Sequence, residues 1–300
     1  VALGAFGAHS LKTKISADML SIFEVGVRYQ IYHAFGLIAV AGIPLLAQQE
    51  SHQEHLLEQL KITASDGQEG DVFGHSVAMH ENFLVVGAPG CDNPQADNGT
   101  VYVFEREGGL LDFQEKALLL AFDRAPGDRF GDAVAVSHGS VVAGAPGNDA
   151  LGPNSGATYV FVEIGGVWSL QAKLTPANGA AGDRFGHSVD IEGDLILVGA
   201  PGHDVQGVRS NAGAAYVFER NGTTWTEVLQ LAPLDGDPDD SFGVSVAIGG
   251  AAAHVESPDH LVIVGAAHDS DIVFQGGSAY VFAETAGVWT EEVKLADANA

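Results

Sequence analysis

Gly127-Asp128-Arg129-Phe130-Gly131 recurs letter for letter as Gly182-Asp183-Arg184-Phe185-Gly186. Fourteen residues after each Phe stands the same second phrase, Gly144-Ala145-Pro146 and Gly199-Ala200-Pro201. Two phrases held at a fixed distance mark an architectural repeat, because a catalytic motif has no reason to be duplicated. Phe73-Gly74 and Phe242-Gly243 extend the series, so the four Phe residues are spaced by 57, 55 and 57 positions. Gly87-Ala88-Pro89 follows the first of them on schedule. The fourth copy reads Gly265-Ala266-Ala267 and arrives nine residues late, after extra chain around 250–259.

Other positions keep the same step. "VYVF" (Val101–Phe104), "TYVF" (Thr158–Phe161) and two "AYVF" runs (Ala215–Phe218, Ala279–Phe282) come next, and nine residues after each Tyr stand Leu111, Trp168, Trp225 and Trp289. Ile62, Leu119, Leu174 and Leu231 lie eleven residues before the four Phe, and Leu295 continues the count toward a further Phe-Gly near position 306. Leu56–Ile62 aligns with the last strand of a blade whose other strands are missing. Each unit holds four short runs rich in Val, Ile, Tyr and Phe, divided by Gly, Asn and Asp clusters, which read as strands and turns. Helical periodicity is absent from the units, which excludes a strand-plus-helix solenoid. Four antiparallel strands per unit of about 50 residues predict a blade of a β-propeller. The expected fold is therefore all-β over 56–300, with about four four-stranded antiparallel blades forming an open arc of a larger ring. In it Phe73, Phe130, Phe185 and Phe242 are buried between blades, the Gly of each Phe-Gly permits close backbone approach, and Pro89, Pro146 and Pro201 end the second strand.

These residues resemble the FG-GAP repeat family, known from the propeller of integrin α subunits. The resemblance covers about residues 56–300 and implies a propeller, usually on extracellular proteins that bind other proteins or glycans. It also implies a D-x-D-x-D-G calcium loop between the first two strands of a blade. Here those connections read "MHENF", "VSHGS" and "IEGDL", short of the six to eight oxygen ligands that calcium takes. The longer fourth connection adds Glu256 and Asp259. The densest carboxylate run is Asp235-Gly-Asp237-Pro-Asp239-Asp240, a weak calcium candidate that lacks the glycine and the distal Glu of an EF-hand loop.

Acidic residues recur elsewhere with the repeat: Asp66, Asp123, Asn178 and Asp235 seven before the Phe, and Asp71, Asp128, Asp183 and Asp240 two before it. A third set follows the corner, read as Asp92, Asp149, Asp204 and Asp269, with Cys91 in a slot filled by Asn148, His203 and His268. Recurrence favours turn capping over metal binding, since Asx side chains accept backbone N–H bonds in turns. His75 and His187 take a blade-edge position where the other repeats carry Asp132 and Val244. No nucleophile–base–orienter set, phosphate-cradling loop or zinc spacing emerges, so the propeller carries no catalytic residues on this reading.

Residues 1–55 share nothing with the repeat. Ser16–His33 suits a helix with Ser16 as N-cap, and 29–47 holds no Asp, Glu, Lys or Arg over nineteen residues, about the length that crosses a bilayer; a buried amphipathic helix packed on the propeller and the apolar region of a signal peptide are the alternatives. Lys12, Lys14 and Arg28 precede this run while Glu50, Glu54 and Glu58 follow it, which predicts a cytoplasmic N-terminus and a propeller outside. "VALGAFGAH" and "FEVGVRYQIYHAFGLIAVA" are similar over about residues 1–43 to a small multi-pass bacterial membrane-protein family, marked by G-A-F-G-A-H and Y-Q-x-Y-H.

Charge bounds the partners. With 39 Asp and Glu against 13 Lys and Arg, the net charge is -26, which repels nucleic acid and anionic lipid and leaves membrane contact to the N-terminal run. Two functions fit: a non-catalytic surface module that recognises protein or carbohydrate through variable loops, or the accessory propeller of a secreted hydrolase or lyase.

Overall fold

The computed structural model describes residues 60–92, 96–109, 111–205, 210–249, 260–270 and 276–296. The helix expected within 1–55 and the apolar run 29–47 lie outside them, as do Glu256 and Asp259. Among the described residues every regular element is a strand, and sixteen strands form four four-stranded antiparallel sheets. Blade 1 consists of β1 (Ser76–His80), β2 (Phe83–Ala88), β3 (Thr100–Arg106) and β4 (Phe113–Leu119). Blade 2 consists of β5 (Val134–Ser137), β6 (Ser140–Ala145), β7 (Ala157–Ile164) and β8 (Val167–Leu174). Blade 3 consists of β9 (Ser188–Glu192), β10 (Leu195–Ala200), β11 (Ala214–Asn221) and β12 (Thr224–Leu231), and blade 4 of β13 (Phe242–Gly249), β14 (His260–Ala266), β15 (Ser278–Thr285) and β16 (Val288–Ala296). Strand order follows the sequence in every sheet. The first strands β1, β5, β9 and β13 adjoin one another in succession, so they form the inner side of a propeller-like arc.

The second strand of each blade is apolar because a blade lies on both of its faces. β6 and β10 are buried at every position, the pattern of strands covered on two sides. Three cores fill the spaces between blades, and each is centred on a Phe of the repeat. Phe130 joins Val85, Val101 and Val103 of blade 1 to Tyr159 and Phe161 of blade 2. Phe185 and Phe242 do the same for the next two interfaces, and all three rings are fully buried. Each meets the Tyr and Phe of its own blade's third strand edge-on, as for Phe130 with Tyr159 at 5.4 Å and Phe161 at 6.0 Å.

Phe73 departs from the expectation of equal burial. It contacts Tyr102 and Phe104 of its own blade but is half-buried, and Gly74 is exposed. No preceding blade lies over this face among the described residues, so the ring has one wall instead of two. Likewise, of the expected last strand Leu56–Ile62 only 60–62 is described, and it is not a strand; among the described residues no third strand lies beside it, and Ile62 packs on the Phe73 cluster. The strand ends behave as read, with β2, β6 and β10 stopping one residue before Pro. β14 stops at the same point with Ala267 next, so the corner ends the strand even where Pro is absent.

The two glycines of the repeated phrases meet twice. Within a blade, the N–H of Gly131 donates to the carbonyl of Gly144 at 2.9 Å, and Gly186 to Gly199 at 3.1 Å. Between blades, a Cβ on Gly87 would come within 2.0 Å of the Gly131 carbonyl oxygen, and one on Gly199 within 1.9 Å of that of Gly243. Ser76 and Ser188 donate to the same two oxygens at 2.7 and 2.8 Å. Among the described residues Gly265 has no such neighbour and faces the Ser245 hydroxyl instead.

Candidate functional site

The loops after the second strands do two things. Their distal halves dock on the next blade: Asp97 and Asn98 carbonyls accept the N–H groups of Arg129 and Phe130, Asn154 and Ser155 those of Arg184 and Phe185, and Asn211 and Ala212 those of Ser241 and Phe242. The expectation that these loops vary freely at the rim therefore needs correction, because half of each is a latch between blades. Their near halves, at the corner itself, stay at the rim. Arg209 lies outside the described residues.

Beneath each corner sits a repeated polar cluster. Asp71, Asp128, Asp183 and Asp240 are buried, and each accepts the backbone N–H three residues back, at 2.6, 2.8, 2.9 and 2.6 Å. This is the Asx geometry that stabilises a tight turn. Burial raises the Asp128 pKa despite those bonds. Asp92, Asp149 and Asp204 each accept a backbone N–H across their own loop.

Asp269 does not join that set. Its N–H donates to Ala266, as Cys91, Asn148 and His203 donate to Ala88, Ala145 and Ala200, so Asp269 and not His268 shares their slot. All four slot residues are buried. The misreading is one position long, because Gly265-Ala266-Ala267-His268-Asp269 has one residue fewer before its His-Asp pair than Gly199-Ala200-Pro201-Gly202-His203-Asp204. Burial raises the pKa of the Cys91 thiol, which suits an inert slot residue.

The third-strand Tyr completes the cluster. The hydroxyls of Tyr102, Tyr159, Tyr216 and Tyr280 donate to Asp66, Asp123, Asn178 and Asp235 at 2.7, 2.6, 3.0 and 2.9 Å. What lies opposite on the fourth strand differs from blade to blade. In blade 2, Lys173 Nζ reaches Asp123 at 2.6 Å and Asn148 at 3.0 Å. In blade 4, Lys294 Nζ reaches Asp235 and Asp269, both at 2.8 Å. Burial pushes the Asp123 and Asp235 carboxyls up, but the Lys and Tyr partners outweigh it and hold both below the usual range. Blade 3 carries Gln230 here, and Asn178 donates to its Oε1 at 3.0 Å. Blade 1 carries Leu118.

Over the blade 3 cluster lies a cleft of about 460 Å³ lined by Asn178, His203, Asp204, Val205, Gln230 and Ala232. His203 is 6% exposed, and its Nδ1 pairs with Asp183 Oδ2 at 3.0 Å. That bond leaves Nε2 as the ring's polar atom for the cleft.

The calcium candidates do not converge on a point. Asp235 is engaged by Tyr280 and Lys294, Asp240 by its own turn, and Asp239 by the Asn211 amide of blade 3 at 2.9 Å. Among the described residues no group of three or more His, Cys, Asp or Glu side chains is arranged to hold a metal ion. His75 Nε2 stands 3.5 Å from Asp132 of the next blade, and burial lowers the pKa of His187 nearby; both residues sit at the blade junction. The Tyr hydroxyls and the Lys or Gln facing them escaped the sequence reading. A partial signal was present: Asp123 goes with Lys173 and Asp235 with Lys294, each Lys standing before the next Leu of the series, while Asn178 goes with Gln230 and Asp66 with Leu118.

Two family models match the chain. The FG-GAP repeat model matches residues 56–104, 113–161, 168–218 and 225–282. A second family model, "Protein of unknown function (DUF423)", matches residues 3–63. A UPF0382 membrane protein of Staphylococcus saprophyticus is 52% identical over 43 residues, 14% of this chain and 36% of that protein. The UPF0382 membrane protein YwdK of Bacillus subtilis is 54% identical over 41 residues, 14% of this chain and 33% of its own length. The chain thus spans about a third of the curated relatives it matches. Among solved structures, Saccharomyces cerevisiae Sqt1 is similar with a TM-score of 0.44 and 7% identity, over 73% of this chain and 47% of that one.

Proposed function

The chain belongs to the FG-GAP repeat family, and from that premise we propose that its propeller is a non-catalytic binding module that recognises protein or carbohydrate through the rim of its blades. The observation that carries this reading is the division of labour within each repeat. Residues that recur hold blades together: the Phe fill the interfaces, the glycines bring backbones into contact, and the buried Asp fix the turns. Residues that vary sit at the corners and on the fourth strand, where blade 3 opens a polar cleft. A scaffold held by repetition with variable chemistry at its edge is how repeat folds are adapted to ligands.

The acidic surface suits neutral or cationic partners. The family resemblance and the charge asymmetry around 29–47 support placing the propeller on the outer side of a membrane. The UPF0382 relatives, named as membrane proteins, support an N-terminal membrane anchor. Calcium would enter only as a bridge between rim carboxylates and a ligand.

The test is a screen of the full chain against glycan and surface-protein arrays, with and without calcium, run beside generic hydrolase assays. Saturable, array-specific binding without turnover is expected. Turnover abolished by one substitution within 56–300 would overturn the reading, and so would a reporter fused after Ala300 that is active in the cytoplasm, for the placement.

A further inference from the structure

We infer that the blade 3 cleft is a binding site for neutral carbohydrate, reading vicinal hydroxyls through Gln230, His203 and Asp204. This rests on the binding-module reading above and assigns it a place and a ligand class. Each blade has an equivalent position on its fourth strand opposite the third-strand Tyr. In blades 2 and 4 a lysine ammonium occupies the space above the Tyr ring, 5.4 Å from the Tyr159 centroid and 5.1 Å from that of Tyr280. Each ammonium is held by the Asx carboxylate and the slot residue of its own blade. Those positions are self-filled.

Blade 3 alters three of the four residues together. Lys becomes Gln230, the carboxylate becomes the Asn178 amide, and the slot holds His203. A Gln side chain is shorter than Lys, and its Oε1 is drawn back to Asn178. Asn178 and His203, which hold the places of the ammonium's partners, line the cleft together with Gln230.

The open groups define the ligand. Gln230 uses Oε1 internally and keeps its two N–H donors. Asp204 accepts Asn211 N–H through Oδ1 at 2.9 Å, which leaves its second oxygen as an acceptor. His203 presents Nε2 from a ring fixed behind by Asp183 and set edge-on against Tyr216 at 6.0 Å. Donors and acceptors side by side match hydroxyl groups, which both donate and accept. Ala232 and Val205 supply the apolar contact that the C–H face of a sugar ring covers. A cationic ligand fits less well, because the carboxylate that holds the ammonium in blades 2 and 4 is replaced by an amide. Asp183, the remaining buried acid, is already bound by His203 and by the Ala180 N–H at 2.9 Å. Fixing the ring in advance reduces the ordering cost of binding.

The decisive variant is the double substitution Asn178→Asp with Gln230→Lys. It writes into blade 3 the pair that blades 2 and 4 already carry, so it closes the cleft with a native pattern. The full chain in a sugar-free detergent would be titrated with glucose, galactose, mannose and N-acetylglucosamine, and with n-butylammonium as the cationic probe. Saturation-transfer NMR and calorimetry would be the readouts. At least one sugar should bind, and the double variant should bind it at least tenfold more weakly with no fall in Tm. Preference for n-butylammonium, or no sugar bound, would overturn the proposal. Equal sugar binding by both proteins would also overturn it, by placing the site elsewhere while leaving the binding-module reading intact. Turnover in the hydrolase assays would instead remove that reading, whatever the cleft binds.

Discussion

Gly144 and Gly186, in successive blades, lie so close that a Cβ on Gly144 would stand 1.8 Å from the Gly186 carbonyl oxygen. The obstacle is backbone, and Gly186 is itself tied to Gly199, so neither side can give without moving a blade. Gly144→Ala should cost about 3 kcal/mol or more, the upper part of the range for overpacking. Gly265→Ala is the control. Its nearest obstacle is the movable Ser245 hydroxyl at 2.4 Å, with the Ser245 carbonyl oxygen at 3.8 Å, and it should cost less than about 1 kcal/mol. Urea titration of the two variants measures the difference, and equal losses would show that the glycine contact does not hold blades together.

Phe130 and Phe73 form a second matched pair. Phe130 is fully buried between two blades, whereas Phe73 is half-buried against one. Phe130→Ala should destabilise by about 3–5 kcal/mol, the cost of a large cavity in a closed core. Phe73→Ala should cost roughly half as much, because it removes contacts with one wall and solvent already reaches the other. Thermal unfolding that ranks the two variants the other way would place a covering element over the first blade.

The fold was legible because two periodicities coincided. The 55–57-residue step fixed the number of blades, and the β-like runs inside each step fixed four strands per blade. The difference between Phe73 and Phe130 was not legible, because burial depends on a neighbouring blade and not on the local phrase. The candidate site was half legible. Recurrent Asp residues announced a structural role, and Asp71, Asp128, Asp183 and Asp240 have one. The cleft was hidden because it depends on which side chains meet, Gln230 with Asn178 where blades 2 and 4 pair Lys with Asp, and such a change shows only when equivalent strands are laid side by side. The shift between His268 and Asp269 shows how one missing residue at a corner breaks such an alignment.

Lys294 stands between two carboxylates of very different exposure. Asp269 is buried at 3%, while the Asp235 side chain is 45% exposed. Lys294→Ala strands Asp269 without its cation, which should cost about 3 kcal/mol at neutral pH. Asp235 supplies a pH dependence. Lys294 and Tyr280 hold its carboxyl below the usual range against the effect of burial. Its contribution is therefore present above the unfolded pKa of about 3.9 and fades as pH falls through the folded value. The stability gap between wild type and Lys294→Ala should narrow below about pH 4. Parallel denaturation curves from pH 7 down to pH 3 would contradict this.

Asp190 behaves in the opposite sense. Its carboxylate lies between blades 3 and 4, where it accepts the Ile191 N–H at 2.9 Å and the Ile248 N–H at 2.7 Å. The corresponding positions of the other blades are Ala78, Ala135 and Ala247. Burial outweighs both hydrogen bonds and pushes its pKa up to about 7. A folded pKa above the unfolded one means that the folded state holds the proton more tightly. Stability from this group is therefore full below about pH 4 and is lost as pH rises toward 7. The loss is on the order of 4 kcal/mol at most, from a shift of about three pH units at 1.36 kcal/mol each. Asp190→Asn keeps an oxygen acceptor for a backbone N–H and removes the ionisation. With one oxygen for the two N–H groups it should be somewhat weaker than wild type at pH 4.5 and more stable at pH 8, a crossover that chemical denaturation at the two pH values would resolve. If the variant is instead weaker at pH 8, the ionised carboxylate is the better partner for Ile248, and the two hydrogen bonds outweigh burial at this junction.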